Sequence, residues 1–246
     1  MTTAIVTGAS RGIGREIARQ LAARGVRIAL HYRENRLAAE SALAELPGDG
    51  HALFAADLAD AGAAAGLMQG VCAAFGRVDV LVNNAGIYHP HPLAQTSYND
   101  WCKAWTETIA VNLLGPANLS FLAAQAMAGG GRVVNISSRG AFRGEPEAPA
   151  YAASKAALNA LSQSLAQALA PRGIYCYCLA PGWVETEMAA PHLAALAGAE
   201  IIAQHPLGRV TRPEEVAQAA VFCALDAPAG MTGCIIDVNG ASYLRT

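Results

Sequence analysis

Charge is scarce in this chain of 246 residues. Asp, Glu, Lys and Arg make up 15% of it, and the formal net charge is −2. That excludes the basic stripe of a nucleic-acid binder and the polybasic patch of a membrane-surface protein. No apolar run reaches the roughly 20 residues of a membrane span. The opening Met1-Thr-Thr-Ala-Ile-Val-Thr-Gly8 has no signal-peptide layout, so a cytoplasmic location is expected. The six cysteines, Cys72, Cys102, Cys176, Cys178, Cys223 and Cys234, lack zinc-ligand spacing and lie in apolar segments. They read as structural thiols, and no metal site is expected. Lysine is the rarest cation, with two copies against fifteen arginines.

Apolar residues, at 53%, are plentiful enough for a sizeable core. Short β-branched runs alternate with longer Ala/Leu-rich stretches. The runs predict strands at Ala4–Thr7, Arg27–Leu30, Ala52–Ala55, Val78–Val82, Arg132–Ile136, Ile174–Leu179 and Cys234–Val238. Helices are predicted to begin near Gly12, Asn35, Ala61, Tyr98, Ala150 and Pro213. Several strands are continuously apolar, as in a parallel sheet covered on both faces. No linker or repeat divides residues 1–246. The expectation is one α/β domain, a Rossmann-type doubly wound parallel sheet of about seven strands with helices on both faces. Ligands in such folds bind outside the carboxyl ends of the strands.

The first such turn is Thr7-Gly8-Ala9-Ser10-Arg11-Gly12-Ile13-Gly14, between a strand and a helix. Glycines let backbone approach a pyrophosphate, and a helix N-terminus favours its charge. An acid about 20 residues on would mark NAD. Strand two instead ends Leu30-His31-Tyr32-Arg33, with no acid. Arg11 and Arg33 together suit a 2′-phosphate, so NADP(H) is favoured over NAD(H). The alternative is a solvated Arg33 beside Glu34.

Lys155 stands four residues after Tyr151, on the same helix face. A nearby ammonium favours tyrosinate and is expected to lower the phenol pKa from its usual value of about 10. That would make Tyr151 a proton donor and acceptor. The bland alternative is a chance pair on an amphipathic helix.

With Thr7-Gly8-x-x-x-Gly12-x-Gly14, Asp57-Leu58, Asn83-Asn84-Ala85-Gly86, Asn112, Ser138, Tyr151-x-x-x-Lys155 and Pro181-Gly182-x-Val184-x-Thr186 in order, the chain resembles the short-chain dehydrogenase/reductases. Within them it is most similar to the 3-oxoacyl-acyl-carrier-protein reductases. The resemblance implies an NADPH-dependent carbonyl reductase for a small carbonyl or alcohol substrate, with an acyl thioester as the first expectation and a small ketone, sugar or polyol as the rival. A second rival is a non-catalytic NADP-binding regulator. The resemblance makes Tyr151 the proton donor, Ser138 the partner of the substrate oxygen, and Lys155 the holder of the nicotinamide ribose. It makes Asn112 the anchor of a water that replenishes the proton. Gly8, Ser10, Arg11, Gly12, Ile13 and Gly14 would take the phosphates, Tyr32 and Arg33 the adenosine end, and Asp57 and Leu58 the adenine. Asn84, Ala85 and Gly86 would line the middle of the cofactor, and Pro181, Gly182, Val184 and Thr186 its nicotinamide end. Asn83 reads as structural. Residues 187–206 would form a substrate lid, and the assembly would be a homotetramer. Ala126-Met-Ala-Gly-Gly-Gly-Arg132 lacks the basic residues expected of a carrier-protein docking patch. Trp183 and Met188 are expected to wall the pocket. Arg143 reads as solvated, with a carboxylate ligand as the alternative, and His89-Pro-His91 as surface loop.

Overall fold

The computed structural model describes residues 1–195 and 198–245. Its strands are β1 (Thr3–Val6), β2 (Arg27–Tyr32), β3 (Ala52–Ala55), β4 (Val80–Asn83), β5 (Gly131–Ile136), β6 (Ile174–Pro181) and β7 (Ile235–Val238). They form one sheet in the order β3-β2-β1-β4-β5-β6-β7, and every pairing is parallel. This is the Rossmann-type sheet expected. All seven strands fall where the apolar runs stand, within two residues at each end. Strand side chains alternate between two cores. Val6, Leu30, Val82, Val134, Ile136 and Leu179 belong to one. Ile5, Ala29, Leu81, Val133 and Cys176 belong to the other.

Helices cover both faces. On one side lie α1 (Gly12–Ala23), α2 (Arg36–Ala44) and, further along the chain, α10 (Pro213–Val221). On the other lie α3 (Ala61–Phe75), α4 (Tyr98–Ile109), α5 (Gly115–Ala126) and α7 (Pro149–Leu169), with the short α6 (Gly140–Arg143) before α7. The segment expected as lid carries α8 (Ala190–Ala194) and α9 (Gly198–Ala203). Its positions 196 and 197 lie outside the described residues.

The helix beginning at Tyr98 passes through a π-helical turn, Ala110–Leu114, straight into α5. The resulting 29-residue helix Tyr98–Ala126 is long and apolar enough, by length and composition, to cross a membrane. Here it is a layer of the fold, with Leu119, Ala123 and Ala124 in the core. Pro116 sits in the first turn of α5, where a missing N–H costs little.

Between β1 and β4 the strand order reverses direction. That switch point opens the crevice where doubly wound sheets bind ligands, and the strand ends bring the expected residues to it.

Candidate active site

The glycine turn is built by backbone contact. Gly8 has φ +62°, and a Cβ there would lie 2.9 Å from Ala85 Cα. A Cβ on Gly14 would lie 2.4 Å from the Gly8 carbonyl oxygen. Thr7 ties the turn to β4. Its Oγ1 donates to the Val82 carbonyl and accepts from the N–H groups of Asn84 (2.9 Å) and Ala85 (3.0 Å). Asn84 Nδ2 donates to the carbonyls of Thr7 and Gly8. His31, named only as part of a strand end by sequence, is a second tie. It is buried, its Nδ1 accepts from the Gly8 N–H at 3.1 Å, and its Nε2 contacts the Ala56 carbonyl at 3.0 Å. Burial lowers its pKa, which favours the neutral ring with its proton on Nε2. Helix α1 then opens with no capping side chain and no acid in its first turn. Its free N–H groups and the bare Cα atoms of Gly8, Gly12 and Gly14 fit a pyrophosphate.

The cleft running from this turn has a volume of ≈ 430 Å³. Every expected cofactor residue except Gly14 borders it: Gly8, Ser10, Arg11, Gly12, Ile13, Tyr32, Arg33, Asp57, Leu58, Asn84, Ala85, Gly86, Pro181, Gly182, Val184 and Thr186. Gly14 acts from beneath, by letting α1 close on Gly8. Both candidate phosphate arginines have carboxylate neighbours, Arg11 with Glu187 at 3.0 Å and Arg33 with Glu34 at 3.0 Å. Such exposed pairs are worth no more than about 1 kcal/mol, so a phosphate can displace them.

At the far end, Ser138, Tyr151 and Lys155 border the same cleft. Lys155 is buried and its Nζ donates to the Ile136 carbonyl at 2.8 Å. The same Nζ lies 5.7 Å from the Tyr151 ring centre. Burial pushes the ammonium down to about 8. Tyr151 corrects an expectation. Its phenol is pushed up to about 12, not lowered, because burial disfavours the phenolate more than the Ser138 hydroxyl beside it favours it. Lys155 spends its closest contact on Ile136, not on the phenol. Asn112 lies in the π-helical turn, and its amide closes onto Ile87. The Ile87 N–H donates to Oδ1 (2.8 Å), and Nδ2 donates to the Ile87 carbonyl (3.0 Å) and to Ser154 Oγ (3.2 Å). Gly86 permits this approach, since a Cβ there would lie 3.3 Å from Asn112 Oδ1 and 3.4 Å from Lys155 Nζ. Asn83 is structural, bonded to Ser120 and Asn135 in the interior.

The wall over Tyr151 holds residues that sequence reasoning missed. Tyr88 meets the Tyr151 ring edge-on at 5.1 Å, and His192 meets Tyr88 edge-on (5.7 Å) and lies tilted against Trp183 (5.3 Å). Trp183 and Met188 wall the cleft as expected, joined by Glu145 and Arg139. Arg143 is exposed. His91 is a second correction, being buried, not surface loop. Its Nε2 accepts the Ala150 N–H at 3.2 Å and so caps the helix carrying Tyr151 and Lys155. His89 is exposed, 3.7 Å from Glu107. Among the cysteines, Cys176, Cys178 and Cys223 are buried, while Cys102 and Cys234 are exposed. Among the described residues no group of three or more His, Cys, Asp or Glu side chains is arranged to hold a metal.

Comparison with known proteins fits this geometry. A family model described as enoyl-(acyl carrier protein) reductase matches residues 8–241. The 3-oxoacyl-[acyl-carrier-protein] reductase of Escherichia coli K12 is 38% identical over 244 residues, covering 98% of this chain and 97% of the relative. The D-threitol dehydrogenase of Mycolicibacterium smegmatis is 38% identical over 250 residues, covering 98% and 93%. A crystal structure of a putative NAD(P)-dependent gluconate 5-dehydrogenase from Beutenbergia cavernae, with NADP bound at low occupancy, superposes with a TM-score of 0.88. It shares 39% identity, covering 98% of this chain and 96% of that one. The chain belongs to the short-chain dehydrogenase/reductase family, and it is an NAD(P)-dependent oxidoreductase acting on CH–OH and C=O groups.

Proposed function

We propose that this protein reduces the carbonyl of a small polar substrate with NADPH, or runs the reverse oxidation with NADP⁺, through Tyr151. The observation that carries the reading is the convergence of Tyr151, Ser138 and Lys155 on one end of a cleft whose other end is a glycine-built phosphate cradle. Bound nicotinamide supplies or accepts the hydride. The protein's part is positioning and proton transfer. With the phenol at about 12 and the ammonium at about 8, neutral pH leaves Tyr151 protonated and Lys155 charged. That is the state a carbonyl reduction needs. Ser138 Oγ accepts from the Gly140 N–H, and its hydroxyl proton, which faces Tyr151 here, is the one that can turn to the substrate oxygen. Both amide donors of Asn112 are used. A water relaying protons to Lys155 would therefore have no free side-chain donor of Asn112 to meet.

Preference for NADPH is supported by Arg11 and Arg33 at the adenosine end and by the lack of an acid closing β2. Among substrates, Glu145, Arg139 and His192 make the wall near Tyr151 polar, which favours a small ketone, sugar or polyol over an acyl chain. An acyl thioester is the second reading, favoured by the identity to the E. coli reductase. A homotetramer in the cytoplasm belongs to the same proposal; exposed Tyr98, Leu114 and Phe121 on the long helix are suited to cover by a second copy.

The test is cofactor oxidation by the purified protein with NADPH and NADH against polyols, ketoses, small diketones and an acetoacetyl thioester. Turnover of the polar ketones with NADPH is expected. Turnover confined to the thioester would replace the first reading by the second. A preference for NADH would overturn the role given to Arg11 and Arg33, and no turnover of any carbonyl would favour a regulator.

A further inference from the structure

Arg139 directly follows Ser138, and it is only 2% exposed. Its one side-chain hydrogen bond runs from Nη1 to Ser242 Oγ at 2.6 Å. No carboxylate among the described residues forms an ion pair with it. A buried cation is costly unless it is paired. Burial and the nearby Arg143 push this guanidinium down to about 10, against the opposing charge of Glu145. Its backbone is held in place, with the N–H donating to the Pro181 carbonyl at 2.8 Å. Its remaining nitrogens are not sealed in the core without partners, and the residue borders the cleft.

The nearest acid, Glu145, acts on Arg139 by its charge but forms no ion pair with it. Glu145 packs over Gly140, where a Cβ would lie 2.7 Å from its Oε1. Arg143, Arg139 and His192 all act on it, yet burial dominates and its carboxyl is pushed up. Its field also raises Tyr88 and Tyr151. Arg143 makes one weak contact, to Gln204 Oε1 at 3.3 Å. Arg139 and Arg143 set two guanidiniums around Glu145 beside the reacting end of the cleft. A guanidinium fork matches a carboxylate bidentately.

We propose that Arg139 receives a carboxylate of the substrate next to Ser138, so that the substrate is a small hydroxy or oxo acid whose free hydroxyls face Glu145. This rests on the reading of the cleft as a carbonyl reductase site. It narrows that reading and makes Arg139 a specificity-determining residue.

The test is steady-state kinetics on matched pairs, a hydroxy or oxo acid against its neutral amide or polyol, with NADP(H). The wild-type protein is expected to show a KM for the acid at least about tenfold below that of its neutral partner. Arg139→Met should raise the acid's KM by at least about tenfold more than it raises the neutral partner's KM. NADPH binding, followed by fluorescence, reports that the variant is folded. Should Arg139→Met fail to bind NADPH, Arg139→Lys keeps the charge but not the fork, and the acid should then lose part of its advantage. Equal KM values for acid and neutral partner in the wild type would overturn the proposal without any variant, as would an equal rise for both in Arg139→Met. Preference for a phosphorylated ketose over every acid would assign Arg139 to phosphate and overturn the carboxylate. Turnover of neutral ketones alone sinks this inference and leaves the reductase reading intact, whereas no turnover of any carbonyl sinks the reductase reading itself.

Discussion

Lys155 and Tyr151 are displaced from their usual pKa values in opposite directions, and burial is the cause of both shifts. The gap between about 8 and about 12 decides which form is present at each pH. Reduction requires the phenol proton, which is retained throughout the working range, and the ammonium, which is not. The rate of carbonyl reduction, as kcat/KM, should therefore fall as pH rises through about 8, by about tenfold per pH unit. A profile flat to pH 10 would detach Lys155 from the reaction. The pair itself is legible in the sequence because four residues on a helix make one face. The direction of the phenol shift is not, because it depends on how much protein surrounds the ring and on where the ammonium's hydrogen bond goes. The same holds for the wall over Tyr151. Tyr88 and Glu145 come from loops and His192 from α8, far apart in the chain, and no local spacing marks their convergence.

Two elements carry the chemistry, the glycine turn and helix α7. Close approach of backbone to backbone makes Gly14 irreplaceable, since its missing Cβ leaves room for the Gly8 carbonyl. Gly14→Ala should cost about 1–3 kcal/mol in urea unfolding and weaken NADPH binding in a fluorescence titration by more than about tenfold. Unchanged binding would mean the turn tolerates the extra methyl by shifting. Helix α7 depends on His91 for its first turn. His91→Ala leaves the buried Ala150 N–H without its acceptor and should cost about 1–3 kcal/mol of stability in the same measurement. Turnover should fall with it, because α7 carries both Tyr151 and Lys155. Strand positions were readable because parallel strands buried on both faces are continuously apolar. Of the long helix only the start near Tyr98 was readable. Gly115 is needed there for contact with the Leu58 carbonyl, where a Cβ would lie 2.8 Å away. Pro116 is tolerated because the π turn ends just before it. A periodicity argument has no way to see that turn, which resets the helix phase at Asn112.

For the molecule as a whole, ligand binding and stability are one equilibrium. A ligand at a hundred times its Kd adds about 2.7 kcal/mol to the folded state. At matched concentrations NADPH should raise the melting temperature more than NADH, and Arg33→Ala should shrink the difference. An equal shift by both cofactors would remove the 2′-phosphate from the account. The central claim is that one cleft joins a phosphate cradle to a tyrosine that moves a proton. Its most direct test compares NADPH oxidation by the wild-type protein and Tyr151→Phe on the best ketone of the panel, with NADPH affinity measured on both. The account predicts turnover at least about a hundredfold lower in the variant, with affinity unchanged within about threefold. Turnover that survives the loss of the phenol, or NADPH affinity that disappears with it, would contradict the account.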